Sequence, residues 1–394
     1  MEKLVMAVTY GADAVYLAGS MFGMRAAAGN FSSEELIEAV RLCHGLGVKV
    51  YVTCNTVPNN SEIALLPPFL EFSEHAGVDG LIIADIGVFS LARRHAPNTH
   101  IHVSTQAGVY NYETARAFYD MGASRVVLAR EMTLDDIFLL REKIPRELEI
   151  EAFVHGAMCV SFSGRCLISN YLIGRDANRG ECAQPCRWKY HLVEEKRPGE
   201  YFEITEDGGT YIMNSRDLCM IDHIPELISA GIDSFKIEGR MKSAYYAAAV
   251  TNAYRHGIDA AQAGVPLDHV WSEEINLVSH REYGTGFYFD REGPGQHCGT
   301  SSSIYFSGCD VAAVVEECDA SGYARLSQRN KFSVGDTLNL LTPGGKPVTF
   351  TAGELKNAEG ETIPSVPHPT MEFTMQLPSY APKYSIIRKM KAHA

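Results

Sequence analysis

The sequence predicts an α/β fold, a TIM-like β/α barrel followed by a small all-β domain, and two observations carry that prediction. Short β-branched or apolar runs alternate with helix-like stretches through the first 265 residues. Strands that alternate with helices of this length form parallel β-α-β units. Beyond residue 303 the texture changes to short strands separated by turns such as Pro343-Gly344-Gly345, the pattern of a small antiparallel barrel.

The strand-like runs of the first part are 14–18, 48–53, 81–84, 101–104, 125–129, 149–154 and 234–237. Helix-like stretches include 33–46, 114–121, 133–143 and 243–263. Ser32-Ser33-Glu34-Glu35 and Thr133-Leu134-Asp135-Asp136 read as helix starts. Gly45, Gly77, Gly122 and Gly231 read as helix ends. This strand set invites an eight-stranded barrel. A doubly wound open sheet is the alternative, but the phosphate-binding Gly-x-Gly-x-x-Gly is absent after the first run. Met1-Glu2-Lys3-Leu4 already reads as helix, so the first strand is expected to be missing and the barrel to have an open seam. The later strands are expected at 311–316, 324–328, 337–341, 348–352, 370–377 and 385–388. The domains are therefore 1–265, with a cysteine-rich excursion at 156–190, a Pro-, Gly- and His-rich linker at 266–303, and the all-β domain at 304–394.

Composition narrows the class. Apolar content of 46% and charged content of 21% suit a soluble globular chain, and no run approaches a membrane span. There is no basic segment followed by a long apolar one at the front. Ten cysteines in that setting point to a reducing cytoplasm, where such residues serve metal or redox chemistry. The net charge of −13 excludes a protein basic all over that coats nucleic acid. A local basic surface remains open: Arg165, Arg175, Arg179, Arg187 and Lys189 outnumber Asp176 and Glu181 around the cysteines. In the last domain, Arg325, Arg329, Lys331 and the Arg388–Lys391 tail suit either an RNA backbone or plain solvated charge.

In a barrel, residues just after each strand face the active-site end. Those positions hold Arg25, Asn55, Asp85, Gln106, Arg130 with Glu131, His155, and Glu238 with Arg240. Singly, each could be a helix cap or a surface pair. As a set, polar groups at one end suggest a ligand site. Above them come Cys159, Cys166, Cys182 and Cys186, spaced Cys-x6-Cys-x15-Cys-x3-Cys. Tight Cys-x2-Cys zinc knuckles and ferredoxin runs are both absent. Spacing alone leaves an iron–sulfur cluster, zinc and unrelated core cysteines open. Cys219 is the rival ligand outside the excursion, at what reads as a helix start and more simply a core position.

The stretch from Glu151 carries a longer pattern. Glu151, Phe153, Gly156, Ala157, Cys159, Gly164, Cys166 and Ser169 match Glu-x-Phe-x-x-Gly-[Ser/Ala]-x-Cys-x4-Gly-x-Cys-x-x-Ser throughout. With YGADAVYLAG at 10–19, IDSFKIEGRMKS at 232–243 and RNKFSVGD at 329–336, the chain resembles the peptidase U32 family over nearly its whole length. The family's opening Glu-Leu-Leu-x-Pro-Ala-Gly strand has no counterpart here. The resemblance implies a 4Fe–4S cluster on Cys159, Cys166, Cys182 and Cys186. It also implies a part in 5-hydroxylation of the tRNA wobble uridine, with prephenate or a similar small carboxylate as hydroxyl source.

On that basis His155, Glu238 and Arg240 are candidate catalytic residues, and Arg25, Asn55, Gln106, Arg130 and Arg187 candidate substrate ligands. tRNA is the expected partner, together with a paired family member or a homo-oligomer. The family's name offers a collagenase-like peptidase as the second reading. Cysteine catalysis would need His155 to serve Cys159; Ser161 and Ser163 lie in no Gly-x-Ser-x-Gly elbow, and no His-Glu-x-x-His occurs. A non-catalytic scaffold of an RNA hydroxylation complex is the third.

Overall fold

The computed structural model describes residues 1–24, 29–159, 161, 163–188, 192–193, 201–202, 215–289 and 305–391. It divides into two compact units, Asp13–Met241 with His280–Tyr305, and Met1–Ala12 with Lys242–Ser279 and Phe306–Ala394. The division differs from the boundary expected at 265. Helix α1 (Glu2–Thr9) belongs to the second unit, and the expected linker is shared between both.

The first unit alternates as the sequence predicts: β1 (Ala14–Leu17), α2 (Ser33–Gly45), β2 (Lys49–Cys54), α3 (Leu66–His75), β3 (Gly80–Ile83), α4 (Ile86–His95), β4 (His100–Val103), α5 (Tyr112–Asp120), β5 (Arg125–Val127), α6 (Leu134–Lys143) and β6 (Glu149–Ala157). The capping boxes form at Ser32 with Glu35 and at Thr133 with Asp136, each satisfying backbone N–H groups that the first helical turn leaves open. Gly45 is still inside α2; the left-handed residue is Gly47, two positions on. After α7 (Ile168–Ile173) and a short ribbon, β7 (Leu192–Val193) with β8 (Tyr201–Phe202), come β9 (Asp217–Cys219), α8 (Ile224–Ser229) and β10 (Ser234–Ile237).

Strands β1 to β6 lie side by side in chain order, all parallel, and β10 adds parallel to β6. Among the described residues no pairing joins β10 back to β1. The sheet is therefore a parallel arc flanked by its helices. One expectation fails here. Cys219 sits on a strand, β9, which runs antiparallel to the end of β6 with Cys219 opposite His155. A buried ion pair between Asp217 and Arg281, each 1% exposed, fixes that strand.

Within the arc a polar cluster is sealed among apolar strands. Glu151 accepts from Arg125 Nη1 at 2.8 Å, Lys236 Nζ at 2.6 Å and Ser234 Oγ at 2.9 Å. Arg125 also donates to Glu149 and lies over the Tyr51 ring, and Lys236 lies over Tyr16. His102 packs edge-on against Tyr51, with ring centroids 4.5 Å apart. Gly80 allows this approach, because a Cβ there would meet both rings at 3.2 Å.

In the second unit α9 (Ala244–Gln262) packs on α1 and on α10 (His269–Leu277). The first unit meanwhile takes up β11 (Tyr283–Gly284), parallel to β9. The remaining strands are β12 (Cys309–Cys318), β13 (Tyr323–Gln328), β14 (Phe332–Ser333), β15 (Thr337–Leu341), β16 (Val348–Thr351), β17 (Leu355–Asn357), β18 (Thr362–Ile363), β19 (Ser365–Val366), β20 (Glu372–Gln376) and β21 (Ile386–Met390). They form an antiparallel sheet in the order β16-β15-β21-β12-β13-β20-β17-β18, with β14 and β19 as a separate pair. Its core is Val315, Leu326, Phe332, Leu340, Phe373 and their neighbours. Most of the basic residues here are paired. Arg325 meets Glu317 and Glu372, Arg329 meets Glu2, Lys389 meets Asp336, and Lys391 meets Asp310. Arg388 is 0% exposed, so its guanidinium cannot touch RNA.

Candidate functional site

The cysteine-bearing excursion is held over the C-terminal ends of the parallel strands. Past β2, Val57 N–H donates to Asn178 O at 3.3 Å, and Glu62 receives Arg179 through two bonds of 3.0 and 2.6 Å. That bidentate geometry fixes orientation as well as distance. Past β5, Glu131 accepts from Ser163 N at 2.9 Å and Ser163 Oγ at 3.1 Å, and Arg130 Nη1 donates to Ala157 O at 2.9 Å. Past β4, Gly164 lies against the backbone of Gln106. It adopts φ +74°, and a Cβ on it would stand 2.2 Å from Gln106 O.

Gly164→Ala is therefore expected to lift the excursion locally, at a cost of about 1–3 kcal/mol from the backbone conformation alone. Limited proteolysis should cut within 156–190 faster, with the thermal midpoint of the α/β unit little changed. Equal cleavage rates in variant and wild type would remove Gly164 from the clamp.

The thiols are placed by this frame. Cys159 follows β6 directly and keeps access to solvent. Burial pushes its thiol up, opposed by a backbone bond at Ser161 and the charge of Arg130, while Cys166 and Cys182 stand near enough to add to the rise. Asn178 Nδ2 donates to Cys166 O at 3.2 Å, and Gln184 N–H donates to Cys182 Sγ at 3.3 Å. Cys186 sits in a single turn, Pro185–Arg187. As a donor set, four thiols on one excursion suit an iron–sulfur centre. Among the described residues no three His, Cys, Asp or Glu side chains converge as ligands of a single ion.

The other expected site residues divide into those with structural partners and those outside the description. Asn55 Oδ1 accepts from Met24 N at 3.1 Å and shapes the loop after β1. Asp85 caps α4 through Gly87 and Val88. Gln106 lies in a short turn behind Gly164. Arg130 stacks on Phe153 at 3.9 Å, and its Nε is buried with no hydrogen-bond partner among the described residues. A cavity of about 10 Å³ beside it, bounded by Phe153, Leu218 and Tyr288, is the size for one water.

His155 is 1% exposed, with Nε2 3.4 Å from the Tyr283 hydroxyl. Glu238 N–H donates to His155 O, Glu238 Oε1 accepts from Arg240 N, and Arg240 Nη2 donates to Asn30 Oδ1 at 3.1 Å. Arg25 lies outside the described residues, as does the side chain of Arg187. Sequence reasoning missed the clamps Glu62–Arg179 and Glu131–Ser163. Nothing in a spacing pattern pairs residues that far apart.

A parallel α/β arc with a thiol-rich excursion tied over its strand ends, carried together with an antiparallel β unit, defines a two-part class of protein. Residues 1–297 match peptidase family U32, and residues 307–388 match the peptidase family U32 C-terminal domain. The chain belongs to that family. It is 36% identical to tRNA hydroxylation protein P of Escherichia coli strain K12, over 93% of this chain and 89% of the relative. It is 35% identical to tRNA hydroxylation protein P1 of Bacillus subtilis strain 168, over 99% of this chain and 93% of the relative. It is also 34% identical to a collagenase of Porphyromonas gingivalis strain W83, over 87% of this chain and 84% of the relative.

Proposed function

We propose that this chain is an iron–sulfur enzyme of tRNA hydroxylation, acting at C5 of the wobble uridine with prephenate or a similar small carboxylate as hydroxyl source. The carrying observation is the excursion itself. Its clamps past β2, β4 and β5 bring a four-thiol segment over the polar strand ends. In this reading the arc is a β/α barrel with an open seam, and Cys159, Cys166, Cys182 and Cys186 hold a 4Fe–4S cluster. Bound there, the cluster supplies one-electron chemistry. In this reading Arg130 and Arg240 offer guanidinium N–H groups to the carboxylate. Asn55 and Gln106 shape the rim, and Glu238 orients the Arg240 backbone. The relatives named for tRNA hydroxylation support the substrate.

The test joins metal content to product. Anaerobically purified protein should hold about four irons and four sulfides. Expression in a strain lacking tRNA hydroxylation should restore 5-hydroxyuridine in digested tRNA, and Cys159→Ser should abolish both signals. Colourless protein with one zinc would sink the cluster.

The collagenase relative keeps a peptidase as the second reading. It asks His155 to activate Cys159, yet the His155 ring is buried with Nε2 facing Tyr283. Gelatin cleavage that survives purification and disappears with His155→Ala would reverse this ranking.

A further inference from the structure

Helix α7 turns apolar side chains to solvent. Leu167 is 68% exposed and Tyr171 87% exposed, and they stand four residues apart on one face. Leu172 and Ile173 are exposed beside them. The turn 185–187 packs on α7, and Ala183 N–H donates to Ser169 Oγ at 3.1 Å. The chain leaves that turn at Trp188, which is 42% exposed. The other tryptophan, Trp271, is buried and stacked on His256. Exposed apolar groups gathered on one short element mark an interaction surface.

Charge decides what covers it. Arg165 and Arg175 flank the helix, both exposed, and neither has an ion-pair partner among the described residues. The nearby Asp176 is occupied in capping Asn178, and Arg179 is tied to Glu62. The basic residues of the antiparallel unit are largely matched with acids, on a chain of net charge −13. Uncompensated guanidiniums beside open aromatic rings suit a single-stranded nucleic acid, whose bases stack on the rings while its phosphates meet the cations. A duplex keeps its base faces stacked inside and offers the rings nothing.

We infer that α7 and Trp188 form the docking platform for a single-stranded RNA loop. Tyr171 and Trp188 stack unpaired bases, and Arg165 and Arg175 hold the flanking phosphates. The inference rests on the tRNA reading above and adds the face by which the loop arrives. That face adjoins the cysteines, so a base turned out of the loop is delivered to their side of the strand ends.

The test titrates whole protein with an unmodified RNA stem-loop and with a blunt duplex of the same stem, reading tryptophan fluorescence and fluorescence anisotropy. The loop should quench the Trp188 emission and the duplex should not. Trp188→Phe should remove the quench. Tyr171→Ala should weaken loop binding about tenfold and Tyr171→Phe should restore it. Arg165→Glu and Arg175→Glu should each lower the salt dependence of binding by about one ion. Unchanged loop affinity in Tyr171→Ala and in Trp188→Ala overturns the platform. Loss of a dimer in Tyr171→Ala, with RNA affinity intact, gives the face to a second copy and also overturns it. Loop binding through these residues without any restored tRNA hydroxylation would leave the platform standing and remove the hydroxylation reading.

Discussion

Glu151→Gln is expected to destabilise the α/β unit by about 3–5 kcal/mol, the cost of leaving buried cations without their counter-charge. Glu151 is the shared acceptor for Arg125 and Lys236, at 2.8 and 2.6 Å, in a position sealed from solvent. Glu149 touches Arg125 but lies half open, so it cannot take over both charges. The denaturation midpoint in urea should drop, with near-UV circular dichroism lost alongside. Lys236→Met placed on top of Glu151→Gln should recover part of the loss, because it removes one stranded cation. A wild-type midpoint in the single variant would mean that the cluster is solvated in solution.

The same cluster sets the response to acid. Burial, helped by the charge of Arg125, lowers the His102 pKa from 6.5 to about 3. Burial pushes the Glu151 carboxyl up, but Lys236 and Arg125 outweigh it and bring the carboxyl from 4.5 down to about 2. Both groups bind protons more readily in the unfolded chain, so stability falls as pH falls. His102 contributes fully above pH 6.5 and loses its share between 6.5 and about 3; Glu151 loses its share between 4.5 and about 2. Each amounts to several kcal/mol on the order of 1.4 kcal/mol per pKa unit. His102→Gln should flatten the decline between pH 6.5 and 4.5, where Glu151 does not yet contribute, and make it shallower from 4.5 to about 3. An unaltered pH profile in that variant would show that His102 binds its proton equally well in the folded and the unfolded chain.

Those interior charges were invisible in the sequence, although their strands were plain. The runs at 125–129, 149–154 and 234–237 are read correctly because β-branched and apolar residues dominate them. That Arg125, Glu151 and Lys236 meet depends on the register between β5, β6 and β10, which no local pattern contains. Strand β9 was lost for the same reason, since Asp217 finds Arg281 only in three dimensions. The excursion was legible as a unit through its cysteines and glycines. Its clamps were not, nor was α7, whose apolar run gave no sign that it faces outward. The basic tail was misleading: Arg388 has the composition of a surface cation and the position of a core residue.

That position makes Glu274→Gln the second large effect, about 3–5 kcal/mol in the antiparallel unit. Arg388 donates to both oxygens of Glu274, at 2.6 and 2.9 Å, to Asn339 Oδ1 at 3.1 Å and to Tyr245 Oη at 2.8 Å. Strand β21 is thereby joined to α10, β15 and α9, segments separated by as many as 143 residues in the chain. Asn339 and Tyr245 satisfy N–H groups but carry no charge, so removing the carboxylate leaves a buried cation that neutral acceptors cannot balance. Replacing both partners, Glu274→Leu with Arg388→Met, should come back close to wild type, since a buried ion pair contributes little beyond well-packed apolar groups. A double variant as unstable as Glu274→Gln alone would show instead that the pair specifies how β21 meets the helices.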